Sequence, residues 1–265
     1  MTAIRPAKLR VAVHKFSSCD GCQLAFLNLG ESLLEAAELV EFAHFAEAGP
    51  VDPDAAVDIA FVEGSISTPE DCERIERVRA NARFLVTIGA CATAGGIQAL
   101  RNLHDAKQWV AGVYASPQYV STLEHVVPVA AKVKVDLELW GCPVTGRQVL
   151  AALRALLSGV APLEDEDKVC LECKRRQNVC VMVTRGVACM GPVTRTGCGA
   201  ICPSFGRDCY ACFGPAENIN APSLTRRLQG LGLAREAVAA RFHFINSAAP
   251  AFLSAGQAAL EAKRD

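Results

Sequence analysis

Cysteines are the residues of this 265-residue chain with the most evident chemistry, and eight of the thirteen fall within residues 165–215. Their spacing divides these eight into two groups of four, each with one C-x2-C pair and two further cysteines. The Cys170 set consists of Cys170, Cys173, Cys180 and Cys189, and the Cys198 set consists of Cys198, Cys202, Cys209 and Cys212. Four thiolates complete the ligand set of a metal centre, so the spacing predicts two metal sites.

The composition argues against a nucleic-acid-binding or membrane-embedded protein. Its 27 basic residues nearly balance its 28 acidic ones, so neither a basic stripe nor an acidic tail is indicated. The opening residues contain no twin-arginine or apolar signal segment, and no apolar run approaches the ~18 residues of a membrane span. We therefore expect a cytoplasmic protein. Because the cytosol keeps thiols reduced, metal or redox chemistry is expected of the cysteines rather than disulfides.

Strands and helices alternate along the first part of the chain, which implies βαβ units with right-handed crossovers. The fold class predicted is α/β, a flavodoxin-like doubly wound parallel sheet in residues 1–160. A loop-rich, cysteine-bearing domain with a helical tail follows in residues 161–265, after an acidic, proline-containing linker at 159–169. The pattern predicts strands at 9–16, 38–46, 57–62, 83–89 and 133–140 and helices at 23–39, 68–81 and 147–157. It also predicts a turn at 90–96 that leads to another helix, and a long loop at 101–127.

Four more cysteines follow predicted strands. Cys19 and Cys22 come after the first strand, Cys91 after the fourth and Cys142 after the fifth. The carboxyl ends of parallel strands meet at one edge of a sheet, where ligands bind. A single cysteine there would be read as a small buried apolar residue. Four together, here called the Cys19 set, predict a third four-cysteine site.

Two further residues receive no site role. Cys72 lies in the charged helical segment 68–81 and is typical of an ordinary helix cysteine. Glu63 follows the third strand and would face the same crevice as the Cys19 set. A carboxylate there is compatible with two kinds of role: tuning a cluster or a proton path, and lying in solvent or fixing a loop.

The candidate metals are zinc and iron. Zinc uses four-cysteine sites in many structural modules, and the count of cysteines alone does not exclude it. The third set and the absence of the usual spacing between zinc-binding C-x2-C pairs favour iron–sulfur clusters, which four thiolates also hold. Three clusters in one chain would form a path for electrons.

Seven motifs, together and in order, resemble the small, electron-transferring subunit of nickel–iron hydrogenases: SSCDGCQ, VEGSIS, TIGACATAGG, ELWGCP, the C-x2-C-x6-C that begins at Cys170, ACMGPVT and CYACFGP. The resemblance covers residues 11–215. It is closer to the cytoplasmic type, the delta subunit of sulfhydrogenases and NAD(P)-linked hydrogenases, than to the related cluster-bearing subunit of respiratory complex I.

The resemblance implies three [4Fe-4S] clusters. It implies that the Cys19 set holds a proximal cluster, nearest the nickel–iron centre of a separate large subunit, that the Cys170 set holds a distal cluster and that the Cys198 set holds a medial one. Cys170 stands where membrane-bound members have a histidine, and Cys202 where many have a proline and a three-iron cluster. The extra proximal cysteines of oxygen-tolerant membrane enzymes are missing, so tolerance by that route is not expected.

The implied function is electron transfer, with no catalytic residue in this chain. Electrons would pass between the large subunit and a flavin- and iron–sulfur-containing partner that reduces NAD+ or NADP+. Two alternatives stay open, namely a cluster-bearing subunit of a complex-I-like assembly without hydrogen activity, and a zinc-stabilised interaction protein.

Overall fold

The computed structural model describes residues 8–162 and 167–261. The predicted linker at 159–169 therefore lies partly outside the described residues, as do the first seven positions of one predicted domain and the last four of the other. None of the helices in the described part of the chain has the length and apolar character that crossing a bilayer requires.

Five parallel strands form a sheet in the order β2-β1-β3-β4-β5. Apolar and β-branched residues dominate each strand, which suits a sheet that is buried on both faces. The order is that of flavodoxin-like folds, so the predicted fold class is confirmed. The strands are β1 (Leu9–Lys15), β2 (Val40–Phe45), β3 (Val57–Glu63), β4 (Ala82–Ile88) and β5 (Leu137–Leu139).

Six helices accompany the sheet, and local sequence explains where two of them begin. Thr68 forms a capping box with Asp71, ahead of a proline at the first helical position, and Thr145 forms one with Gln148. The helices are α1 (Gly21–Leu27), α2 (Glu31–Leu39), α3 (Pro69–Asn81), α4 (Gly89–Ala94), α5 (Ala106–Val113) and α6 (Gly146–Leu157).

The structure corrects several predicted elements. The helix expected at 23–39 is two helices, because Gly30 adopts a positive φ of 56° between them. The turn expected at 90–96 contains α4, and the loop expected at 101–127 contains α5. Strand β5 has only three residues. Just before it, the N–H of Leu85 donates to the side chain of Asp136, and the N–H of Asp136 donates to the carbonyl of Leu85.

The cysteine-rich segment contains three short helices, and three longer helices follow it. Short helices fit a segment with few apolar runs. The six are α7 (Val169–Arg175), α8 (Val181–Thr184), α9 (Ile201–Ser204), α10 (Ala221–Gly230), α11 (Arg235–His243) and α12 (Pro250–Glu261).

Buried apolar residues form three clusters. One covers each face of the sheet, with Phe61 in the first and Leu85 in the second. The third lies among the last helices and the cysteine-rich segment, and it includes Ala94 and Trp140 from the sheet region. The carboxyl edge of the sheet therefore packs directly against the cysteine-rich segment.

Candidate iron–sulfur sites

The Cys19 set lies at the carboxyl edge of the sheet, on three different connections. Cys19 precedes α1, Cys22 lies in its first turn, Cys91 lies in α4, and Cys142 follows β5. Two of the connections are tied together, because the N–H of Ala90 donates to the carbonyl of Gly141 at 2.7 Å. The four sulfur atoms are close enough for their charges to interact. The structure thus brings together all four residues of the predicted set.

Glycines make room for these sulfur atoms. At Gly89, with φ +87°, a Cβ would overlap the Sγ of Cys22, and at Gly96, with φ +62°, it would lie 2.6 Å from the Sγ of Cys91. Any residue with a Cβ would be strained at either position and would displace a thiol. The glycines of this edge therefore belong to the site.

Glu63 fixes the first loop. Its carboxylate is 2% exposed and accepts the backbone N–H of Cys22 at 3.0 Å and that of Gln23 at 3.2 Å. Burial raises the pKa of Glu63, while the N–H groups oppose that rise. Of the two roles compatible with the sequence, these contacts are those of a residue that holds the loop.

Gln98 lies between two parts of the same site. Its amide donates to the carbonyl of Ser17 at 2.7 Å and contacts the Sγ of Cys91 at 3.5 Å. Burial, the main cause, raises the pKa of Cys91 to about 11, and the hydrogen bond from Gln98 opposes the rise. Gln98 therefore stabilises the thiolate form of Cys91.

The Cys170 set lines one cavity of about 140 Å³. Cys170 and Cys173 come from α7, Cys180 precedes α8, and Cys189 follows α8. Burial and the neighbouring sulfur atoms raise the pKa of Cys170 to about 11. The cavity is about ten times the ~10–15 Å³ that admits one water molecule.

The Cys198 set is organised by a second carboxylate. Glu172 in α7 accepts the backbone N–H groups of Gly197, Gly199 and Ala200 at 3.0–3.1 Å. These three N–H groups surround Cys198, so Glu172 holds its loop as Glu63 holds that of Cys22.

Two thiols of the Cys198 set are strongly desolvated. Burial is the main cause that raises the pKa of Cys209, and burial with nearby sulfur atoms raises that of Cys212 to about 12. The backbone N–H of Ala211 donates to Cys209 Sγ at 3.4 Å. The Sγ of Cys209 also lies 3.5 Å from the hydroxyl of Thr194.

The Cys198 set lies near both other sets. The sulfur of Cys212 interacts electrostatically with that of Cys142, which belongs to the Cys19 set. On its other side, the backbone N–H of Cys209 donates to the Sγ of Cys189 at 3.3 Å. The sulfur atoms of Cys173 and Cys198 also interact. The spatial series therefore differs from the order along the chain.

The donor sets fit iron–sulfur clusters, which four thiolates hold. Buried thiols with raised pKa values ionise only when cationic metal compensates the loss of solvation, and binding then releases protons. Four thiolates at ~2.3 Å would also hold a zinc ion.

Sequence reasoning missed three supporting residues. Gln98 lies beyond the predicted turn, and nothing in the pattern marks it. Thr194 contacts Cys209 from fifteen positions away. Glu172 had a usable signal, because an acid inside a C-x2-C pair lies close to the metal sites and suits the anchoring of a glycine-rich ligand loop.

Comparison with known proteins gives consistent relatives. The family described as NADH ubiquinone oxidoreductase, 20 Kd subunit, matches residues 19–156. Sulfhydrogenase 2 subunit delta of Pyrococcus furiosus is 33% identical over 82% of this chain and 90% of that protein. NAD-reducing hydrogenase HoxS subunit delta of Cupriavidus necator is 30% identical over 60% of this chain and 83% of that protein.

Among solved structures, a chain of NAD+-reducing [NiFe]-hydrogenase in the H2-reduced state has a TM-score of 0.55 and 32% identity. The match covers 59% of this chain and 94% of that chain. The chain described here belongs to the NADH ubiquinone oxidoreductase 20 kDa subunit family, is of the hydrogenase small-subunit type, and is a non-catalytic subunit of an oxidoreductase.

Proposed function

We propose that this chain is the electron-transfer subunit of a soluble nickel–iron hydrogenase. It would relay electrons between the nickel–iron site of a large subunit and a flavin-containing partner that reduces NAD+ or NADP+. The observation that carries the proposal is the position of the Cys198 set beside both other sets: Cys209 is hydrogen-bonded to Cys189, and Cys212 is close enough to Cys142 for their charges to interact. Three redox centres in series are what a relay needs.

The proposal assigns one [4Fe-4S] cluster to each set. The Cys19 set would hold the proximal cluster, the Cys198 set the medial cluster and the Cys170 set the distal cluster. Residues 1–160 would form the flavodoxin-like domain, and residues 161–265 the iron–sulfur domain. A cytoplasmic location is part of the proposal, supported by the resemblance to the cytoplasmic hydrogenases.

When bound, an iron–sulfur cluster supplies a one-electron carrier whose potential depends on hydrogen bonds to its sulfurs and on solvent exposure. This chain's residues supply both controls. Gln98, Thr194 and the N–H of Ala211 lie at hydrogen-bonding distance from candidate ligand sulfurs. Glu63 and Glu172 fix the loops that carry Cys22 and Cys198, and Cys22, Cys189 and Cys209 are buried.

Exposed apolar side chains support docking of a large subunit near the Cys19 set. Leu24 is 48% exposed and Ile97 is 53% exposed. Leu24 lies five positions after Cys19, and Ile97 follows Gly96, which adjoins Cys91. An obligate interface of this kind is large and apolar.

The test is to purify the chain with its native partners and to measure hydrogen-dependent reduction of viologen dye, NAD+ and NADP+. Cys19→Ser should abolish dye reduction and lower the iron content. Cys72→Ser is the matched control, since Cys72 lies on α3 outside the three sets, and it should change neither. Full activity and full iron in Cys19→Ser would contradict the proximal assignment.

The family match to an NADH ubiquinone oxidoreductase subunit favours one second candidate, a complex-I-like assembly without hydrogen activity. The same preparation separates the two functions. An assembly that oxidises NADH but fails to use hydrogen would support the second candidate.

A further inference from the structure

The loop that carries the last two cysteines of the Cys198 set is contacted by residues much later in the chain. This loop runs from Cys209 to Cys212. Three side chains from the end of α11 and the turn after it reach the loop or the residue before it. They are Arg241, Phe244 and Asn246, and we call them the α11 bracket.

Asn246 makes the most specific of these contacts. Its Nδ2 donates to the carbonyl of Ala211 at 2.8 Å, and the residue is 1% exposed. The same carbonyl also accepts the N–H of Gly214 at 3.0 Å, so it has an acceptor role without Asn246. Within residues 8–162 and 167–261, the Oδ1 of Asn246 has no hydrogen-bond partner. Because such a buried atom costs free energy, stability alone does not explain an asparagine here.

The other two bracket residues hold the neighbours of Ala211. Arg241 pairs with the carboxylate of Asp208, which directly precedes Cys209. The guanidinium of Arg241 also lies 5.5 Å from the centre of the Tyr210 ring. The ring of Phe244 lies 6.4 Å from that of Tyr210, measured between centroids. The bracket therefore contacts residues 208, 210 and 211, on both sides of a ligand sulfur.

The bracket is anchored in the packing of α11 against α12. The rings of Phe242 and Phe252 are buried and meet edge to face with centroids 5.9 Å apart. The Nε2 of His243 lies 3.3 Å from the carbonyl of Leu253. A Cβ at Gly256 would overlap the ring of His243, so the two helices approach closely. The position of the bracket is thus fixed by a buried helix pair.

Ala211 needs such support because its backbone is strained. Its φ is +61°, in the left-handed region. A residue with a Cβ stays in that region only where the surrounding structure holds it there. In this conformation the N–H of Ala211 donates to the Sγ of Cys209 at 3.4 Å, while the carbonyl of Ala211 meets Asn246. Ala211 therefore connects the bracket with a candidate ligand sulfur.

We propose that Asn246 is a positioning residue for the medial cluster. By holding the carbonyl of Ala211, it keeps the N–H of Ala211 on the sulfur of Cys209 and so sets the reduction potential of that cluster. The inference rests on the proposed function and adds the residue that controls the middle carrier of the relay. An N–H that points at a ligand sulfur stabilises the reduced, more negative cluster, so weakening this bond lowers the potential.

The test compares three variants in the purified assembly. Asn246→Leu keeps the number and branching of the side-chain heavy atoms and removes the donor. It should fold, because the N–H of Gly214 still satisfies the carbonyl of Ala211 and the unpartnered Oδ1 is gone. Asn81→Leu is the matched control, since Nδ2 of Asn81 on α3 donates to the carbonyl of Asp54 at 3.0 Å, outside the three sets. The third variant combines Asn246→Leu with Ala211→Gly, because glycine adopts a positive φ without support.

The measurement is a redox titration followed by electron paramagnetic resonance, in which the medial component is the one that Cys202→Ser alters. Asn246→Leu should make this cluster roughly three- to tenfold harder to reduce, a shift of about 30–60 mV to more negative potential for a one-electron couple. The other two components should stay unchanged, and Asn81→Leu should match the wild type. The double variant should return the medial potential toward the wild-type value.

Two outcomes would overturn the inference. An unchanged medial potential in Asn246→Leu, with three components present, would show that Asn246 serves packing alone, and it would leave the proposed function standing. A shift that Ala211→Gly fails to reverse would show that the effect does not pass through the backbone of Ala211. Absence of hydrogen-dependent viologen reduction in the wild type would instead contradict the proposed function.

Discussion

Replacing Glu63 by glutamine tests whether one buried carboxylate holds the Cys19 set together. Glu63→Gln keeps the size and shape of the side chain and removes its negative charge. The carboxylate accepts two backbone N–H groups, from Cys22 at 3.0 Å and from Gln23 at 3.2 Å. An amide has one oxygen, so one of these N–H groups loses its acceptor and faces an NH2 group.

The size of the effect follows from these contacts. A hydrogen bond to a charged group contributes about 1.5–3 kcal/mol, so the two bonds together contribute about 3–6 kcal/mol. With one neutral bond of about 1 kcal/mol retained, the loss is roughly 2–5 kcal/mol. For a chain of this size the melting temperature should fall by roughly 4–20 °C.

The assay compares Glu63→Gln with Glu76→Gln in the purified assembly. Glu76 is exposed on α3, so its substitution changes the same charge without touching a buried bond. We expect a lower melting temperature and less iron in Glu63→Gln alone. Melting temperatures and iron contents that agree between the two variants would refute the anchoring role. Such agreement is the result expected if Glu63 is already protonated in the folded chain.

Three further predictions concern other parts of the chain. Burial lowers the pKa of His14 to about 3. The folded chain therefore keeps His14 neutral, whereas the unfolded chain gains a proton there below pH 6.5. Lowering the pH from 7.5 to 5.5 should destabilise the wild type by about 1.4 kcal/mol more than His14→Gln, as measured by thermal melts at both pH values. Gly89→Ala should remove about a third of the iron, because its Cβ would overlap a ligand sulfur. Gly112→Ala, where a Cβ meets nothing within 4 Å, should leave the iron content unchanged. Glu172→Gln should lower the melting temperature by as much as Glu63→Gln and weaken the electron paramagnetic resonance signals of the Cys198 set first; unchanged signals would contradict its anchoring role.

The parallel sheet could be predicted because its strands are continuous apolar runs. β1, β3 and β4 begin and end within one or two residues of their predicted bounds, since a strand buried on both faces leaves a strong signal. β5 was predicted too long, because its ladder with β4 covers only Leu137–Leu139, and before it the side chain of Asp136 accepts the N–H of Leu85. That contact joins residues 51 positions apart and leaves no local pattern.

The grouping of cysteines could be predicted from spacing and from the strand ends they follow. The supporting carboxylates could not be assigned in the same way. Glu63 stood out after β3, yet whether it faced solvent or a loop depended on the path of Cys22, 41 positions earlier. Glu172 sits between two candidate ligands but anchors a different set, which only the packing of α7 against the Cys198 loop reveals. The helix α4 was missed because GACATAGG reads as a glycine-bearing turn.

The most direct test is the content of iron and acid-labile sulfide per chain, measured without the partners or after the partners' own iron and sulfide have been subtracted. Three [4Fe-4S] clusters predict about twelve irons and twelve sulfides per chain, with zinc absent. Two or three zinc ions without sulfide would contradict this prediction. About eight irons would indicate two clusters instead of three.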